Sequence, residues 1–131
     1  MTSNINGLHQ VALTTSDLER SINFYRDVLD LPLIANFDPP GLAFFDTGDV
    51  RLSMQKVDKI EATSSVLYFR VSDIDAAAES LKNHSIELEQ APEVVFRDEK
   101  GQFGEAGEDE WMAFFRDPDG NLLALAARKK L

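Results

Sequence analysis

Few side chains in this sequence are suited to covalent or acid–base chemistry. His9 and His84 are its two imidazoles, and cysteine is absent. Disulfides, thiolate metal sites and a thiolate nucleophile are therefore excluded. A catalytic divalent site needs about three donors drawn from imidazole, carboxylate or thiolate, and neither histidine stands in an H-E-x-x-H pattern. His9, near the chain start, reads as a solvated or hydrogen-bonded side chain, and His84 as a favourable residue at a helix C-terminus. No G-x-G-x-x-G, P-loop or G-x-S-x-G occurs. Glu79 and Glu87 belong to a helix face and a strand edge and form no acid–base pair. What remains are side chains that recognise rather than react: Gln10, Arg51, Ser53, Gln55, Tyr68 and Arg70. Phe96, Phe103 and Trp111 add rings beside the acidic run Glu105, Glu108, Asp109 and Glu110. Small residues, an aromatic ring and a few directional polar groups are what a small-molecule pocket needs.

The elements that must position these residues come in two copies. Residues 10–18 read QVALTTSDL and residues 66–74 read VLYFRVSDI. Each is a strand-like stretch that ends in Ser-Asp-aliphatic and passes into a helical pattern. In the first copy Val11 and Leu13 alternate with more polar neighbours, the period of a half-buried strand. Asp17 or Ser16 caps the helix that follows, whose apolar face is Leu18, Ile22, Tyr25 and Leu29; Pro32 ends it. Three short strands are predicted at Leu33–Phe37, Leu42–Asp46 and Val50–Lys56. In the second copy a strand near 65–71 leads to a helix near 73–83. Strands follow near 86–90, 93–98, 111–116 and 121–127, with an acidic loop near 99–110 that closes an aromatic lid or attracts a cation. At the end of the second helix, Ser85 or Asn83 must supply the left-handed turn that glycine usually provides. If the helices pack on Val11, Leu13, Leu52, Met54, Leu67 and Phe69, alternation turns Gln10, Arg51, Ser53, Gln55, Val66, Tyr68, Arg70, Leu122 and Ala124 to the other face.

The chain has 131 residues and fits one domain, 1–131, with module one at about 5–56, a linker at about 57–64 and module two at about 65–128. The net charge of −10 repels phosphate backbones, so nucleic acid is not an expected partner. The N-terminus MTSNINGLHQ has neither a basic start nor an apolar run, and no apolar stretch is long enough to span a bilayer. A cytoplasmic protein with no membrane partner is expected.

Two stretches carry a family resemblance. HQVALTTSDLERSINFYRDVLDLPL resembles the opening of a vicinal oxygen chelate protein, the superfamily of glyoxalases, bleomycin-resistance proteins and dioxygenases. FFRDPDGNLLAL resembles its closing hairpin, and the internal duplication is a third match. The resemblance implies an α+β fold of two βαβββ modules. Each would give a four-stranded antiparallel sheet, the two combining into a curved eight-stranded mixed sheet around a cleft with helices outside. It also implies a homodimer. In metal-using members four inward side chains bind a divalent ion. Matched by position, they are Gln10, counted back from the capping Asp17; Ser53, inside Leu52-Ser53-Met54; Val66, by repeat symmetry; and Ala124, after DPDGN and two aliphatics. This set implies no metal cofactor. The leading expectation is a metal-free small-molecule-binding protein that takes an aromatic or partly cationic ligand through Gln10, Arg51, Ser53, Gln55, Val66, Tyr68, Arg70, Phe96, Trp111 and Ala124. The alternatives are a lyase, epimerase or dioxygenase of the superfamily, or a non-catalytic dimeric scaffold.

Overall fold

A computed structural model describes residues 8–62 and 64–130. The expected start of module one near residue 5, most of the N-terminal segment and Thr63 of the expected linker lie outside the described residues. The chain divides into two compact units, Met1–Ala62 and Thr63–Leu131.

The first unit runs β1 (Gln10–Thr15), α1 (Leu18–Asn23), a π-helical turn (Phe24–Val28), β2 (Leu33–Phe37), β3 (Leu42–Asp46) and β4 (Arg51–Lys56). The second runs β5 (Val66–Arg70), α2 (Ile74–Asn83), β6 (Leu88–Asp98), β7 (Glu108–Arg116) and β8 (Leu122–Lys130). The sheet orders are β1-β4-β3-β2 and β5-β8-β7-β6, the same topology twice. In each unit the helix carries the chain from the first strand to the far edge of the sheet. Two antiparallel hairpins then step back, and the last strand arrives parallel to the first. Each sheet is therefore mixed, which corrects the expectation of purely antiparallel modules. A helical crossover is the connection that a parallel pair requires.

The helix starts follow the sequence closely. Asp17 and Asp73 are both extended N-caps. Their carboxylates accept from Arg20 N at 3.1 Å and Ala76 N at 3.0 Å, which satisfies a free N–H of the first turn. The first helix departs from an even spacing. Leu29 N reaches Phe24 O, five residues back, and this widened turn brings adjacent Phe24 and Tyr25 both into the core. Leu29 is left half-buried. Ser85, not Asn83, supplies the left-handed residue after α2, at φ 63°.

The cores are the helix-facing sides of the two sheets. In the first unit Leu13, Ala43, Phe45, Leu52 and Met54 meet Leu18, Ile22, Phe24 and Tyr25. In the second Ala113, Phe115, Leu123, Leu125 and Ala127 meet Ile74, Ala78 and Leu81. Full burial of such a side chain stabilises by about 1.5–3 kcal/mol, so these faces hold each module together. The opposite faces carry most of the site residues expected from the sequence.

Three boundaries differ from the sequence expectation. The strands expected at 86–90 and 93–98 are one strand, β6, with register shifts on either side of Gln90 and again between Val94 and Phe96. Pro92 does not break it because β6 is an edge strand, where a missing N–H costs no ladder bond. β7 begins at Glu108, three residues early, because Asp98, Arg97 and Phe96 pair with Glu108, Asp109 and Glu110. β8 extends to Lys130 as the partner of that lengthened strand.

Candidate functional site

The parallel register places the four family positions by pairs. In the first unit Gln10 pairs with Arg51 and Ala12 with Ser53. In the second Val66 pairs with Leu122 and Tyr68 with Ala124. Gln10 and Val66 are thus equivalent, as are Ser53 and Ala124, Arg51 and Leu122, and, through the antiparallel neighbours of Ser53 and Ala124, Phe44 and Phe114. The same constellation occurs once in polar and once in apolar form.

In the polar copy, Arg51 Nε donates to Gln10 Oε1 at 2.7 Å, and Gln10 Nε2 donates to Ser53 Oγ at 3.4 Å. His9 Nε2 lies 3.3 Å from Arg51 Nη2, and the guanidinium carbon stands 5.4 Å from the centre of the Phe44 ring. Gln10 and Arg51 are exposed, while Ser53 is buried. A neutral acceptor, an imidazole and a ring face thus fix the guanidinium without cancelling its charge.

In the apolar copy, Ala124 is buried between its two cross-strand neighbours, Tyr68 and Phe114. Those rings meet edge to face with centroids 6.2 Å apart, and Tyr68 remains 55% exposed. Val66 and Leu122 are half-buried beside them. Gln55 and Arg70 lie exposed at the far ends of β4 and β5.

Phe96 and Phe103 also meet edge to face, at 5.6 Å. Trp111 does not join them. Lys129 Nζ stands 4.3 Å from its ring centre and also binds Asp75 of α2 at 2.9 Å, so the indole lies on the helix side of the second sheet. The acidic loop is tied down from within. Arg128 donates to Asp98 Oδ2 at 2.7 Å and Glu108 Oε1 at 2.9 Å, with Nη1 3.7 Å from Glu110. Lys130 pairs with Glu105, and Arg97 forks onto Asp109 at 2.8 and 3.3 Å. The carboxylates expected to draw a cation are thus each matched by a cation of the chain itself. Burial pushes the Asp98 carboxyl up, but hydrogen bonds from Phe103 N, Gln102 N and Arg128 outweigh it and hold the group at about 2.

The DPDGN stretch is turn chemistry. Asp117 accepts from Asp119 N, Asn121 N and Asn121 Nδ2, and Gly120 takes the positive φ of 85° that the turn demands. Sequence reasoning missed Phe44, Phe114 and the place of His9 beside Arg51. Alternation along β3 and β7 was the available signal for the two rings, since Ala43, Phe45, Ala113 and Phe115 define the buried parity.

The donor set at the four family positions does not fit a divalent ion. Val66 and Ala124 have no side-chain donor, Ser53 is a poor one, and the Gln10 oxygen is already taken by Arg51. Among the described residues no group of three or more His, Asp or Glu side chains is arranged to hold a metal.

The family model described as Glyoxalase/Bleomycin resistance protein/Dioxygenase superfamily matches residues 7–125. The uncharacterized protein YraH of Bacillus subtilis (strain 168) is 30% identical over 90% of this chain and 95% of its own length. A putative glyoxalase family protein from Bacillus anthracis superposes with a TM-score of 0.78 at 18% identity, covering 98% of this chain and 100% of that one. Lactoylglutathione lyase from Agrobacterium tumefaciens gives 0.73 at 20% identity over 95% and 96%. At those identities the two structures speak for the fold alone, whereas the family model spans nearly the whole chain. With its duplicated βαβββ topology, the chain belongs to the glyoxalase/bleomycin resistance protein/dioxygenase superfamily.

Proposed function

We propose that this protein binds a small aromatic molecule on an open sheet face without a metal ion. The observation that carries this reading is the pair of register-matched constellations. Where metal-using relatives place ligands, this chain has Gln10 and Ser53 bonded to one another, and Val66 and Ala124 among rings. Polarisation of vicinal oxygens by a metal, the shared chemistry of the superfamily's lyases, epimerases and dioxygenases, has no donor set to support it. Binding needs none. Tyr68 and Phe114 offer an edge-to-face pair against which a flat ring stacks, beside small residues that leave room for it. An aromatic ligand is favoured over a cationic one, because the acidic groups that would attract a cation are paired with Arg97, Arg128 and Lys130.

Calorimetric titration of chelator-treated protein with zinc, nickel and manganese tests the metal-free part. No saturable binding at sub-micromolar affinity is expected, and one tightly bound ion per chain would overturn the reading. A thermal-shift screen of aromatic compounds tests the rest. A true ligand at a hundred times its Kd stabilises the fold by about 2.7 kcal/mol, and Tyr68→Ala should remove the shift.

A further inference from the structure

We propose that Arg51 is the docking point for a carboxylate of the bound molecule, held ready by Gln10 and His9 and lying over Phe44. The proposal rests on the small-molecule reading above, applied to the open face of the first unit's sheet alone, and names the charged end of a ligand held there.

The first argument is charge. The chain has 23 Asp and Glu against 13 Lys and Arg, so acid partners are plentiful for its arginines. Arg97, Arg116, Arg128, Lys129 and Lys130 each bind a carboxylate. Arg51 binds none among the described residues. Asp46 lies directly across the β3–β4 ladder from it, yet directs Oδ1 to Gly48 N at 2.8 Å.

The second argument is geometry. Gln10 takes Nε and His9 faces Nη2, so one side of the guanidinium is engaged by groups that bring no negative charge. On the end-on edge, Nη1 has no acceptor among the described residues, and Nη2 carries a second hydrogen besides the one that can face His9. That edge presents two parallel N–H bonds at the spacing of a carboxylate's oxygens. Phe44 limits the side chain's freedom from below and continues as an apolar surface under whatever the carboxylate is attached to. The neighbours contribute no second cation, so a single delocalised charge suits a monoanion better than a phosphate dianion.

The third argument is the repeat. The second unit has Leu122, Val66, Ala124 and Phe114 at the equivalent places. The fold therefore accepts an apolar set at these four positions, and the polar set in the first unit is not a requirement of the architecture.

The test uses two probes that share a ring system and differ in charge, 1-naphthoate and 1-naphthamide, titrated calorimetrically into the full chain. A charge-assisted fork should favour the carboxylate by roughly 10- to 100-fold. Arg51→Met should abolish that preference. So should Gln10→Glu, which sets a protein carboxylate on the same guanidinium; circular dichroism checks that both variants fold. Equal binding of the two probes by the wild type, or a preference that survives Arg51→Met, overturns the carboxylate site and leaves the small-molecule reading standing. Failure of both probes at millimolar concentration overturns the two together.

Discussion

Arg128→Met should loosen the second unit substantially. The side chain is largely covered and holds three carboxylates: Asp98 at 2.7 Å, Glu108 at 2.9 Å and Glu110 at 3.7 Å. Asp98 is 0% exposed. Removing one member of a buried pair typically costs about 3–5 kcal/mol, because an uncompensated charge stays behind. Asp98 keeps two backbone N–H donors, Gln102 and Phe103, at 2.7 and 2.9 Å, which places the expected loss near the lower end, about 3 kcal/mol. For a chain of this length that corresponds to a fall in Tm of roughly 10 °C. Urea and thermal unfolding measure the loss, and hydrogen exchange at Gln102 and Phe103 should localise it to the loop. A pH series adds a second check. In the folded protein Asp98 titrates at about 2, against an ordinary 3.8. The unfolded chain therefore takes up the proton first, and the stability due to this group is full above pH 4 and lost as pH falls through 2. Loss of Arg128 raises the folded-state value and should flatten that slope. A variant that loses less than about 1 kcal/mol and keeps the wild-type pH slope would refute the account.

Three further changes test the same unit and its twin. Gly104→Ala places a Cβ 2.7 Å from Arg128 Nε and 2.9 Å from Cζ. The guanidinium is pinned by its carboxylates and cannot swing away, so a cost of about 1–2 kcal/mol is expected; in an Arg128→Met background that cost should nearly vanish, as a double-mutant cycle would show. Asp17→Ala and Asp73→Ala each remove one equivalent N-cap and should each lower stability by about 1 kcal/mol in urea titrations. A difference between them much larger than that would mean that one carboxylate does more than cap.

The fold was legible because its determinants are local and repeated. Ser-Asp caps, alternating strands and the DPDGN turn each follow from side-chain chemistry within a few residues, and the second copy repeats the first. What could not be read depended on partners distant in sequence. The start of β7 at Glu108 is set by pairing with β6, and the fate of the acidic loop by Arg128, which lies 30 residues beyond Asp98. The π-helical turn at Phe24 was hidden because Tyr25 suits an even helical spacing as well as a widened one. At the candidate site, alternation identified the open face, and with it Gln10, Arg51 and Ser53, which prove to be bonded in a chain. Trp111 went to the other face because it has the parity of Ala113 and Phe115 along β7.

The duplicated register carries different side chains at the equivalent positions of its two copies. Most of the core lies on the helix-facing sides of the sheets, and the four positions lie on the opposite sides, where Gln10 is exposed and Val66 half-buried but Ser53 and Ala124 are buried. Each copy has a packing of its own: a hydrogen-bonded chain around Arg51 in one, and two rings beside Ala124 in the other. Restoring the family's glutamate by Ala124→Glu would set a carboxylate at a fully buried position between Tyr68 and Phe114, with no cation on its β5 or β7 cross-strand neighbour. Burying an unpaired charge costs several kcal/mol unless the group takes up a proton. Ala124→Glu should accordingly destabilise the protein by about 2–4 kcal/mol at neutral pH and by less near pH 5, where protonation relieves the charge. If Ala124→Glu instead unfolds at wild-type urea concentrations, the rings part readily at this position, and the second unit's open face is a cavity awaiting a charged group rather than an apolar seat for an aromatic one.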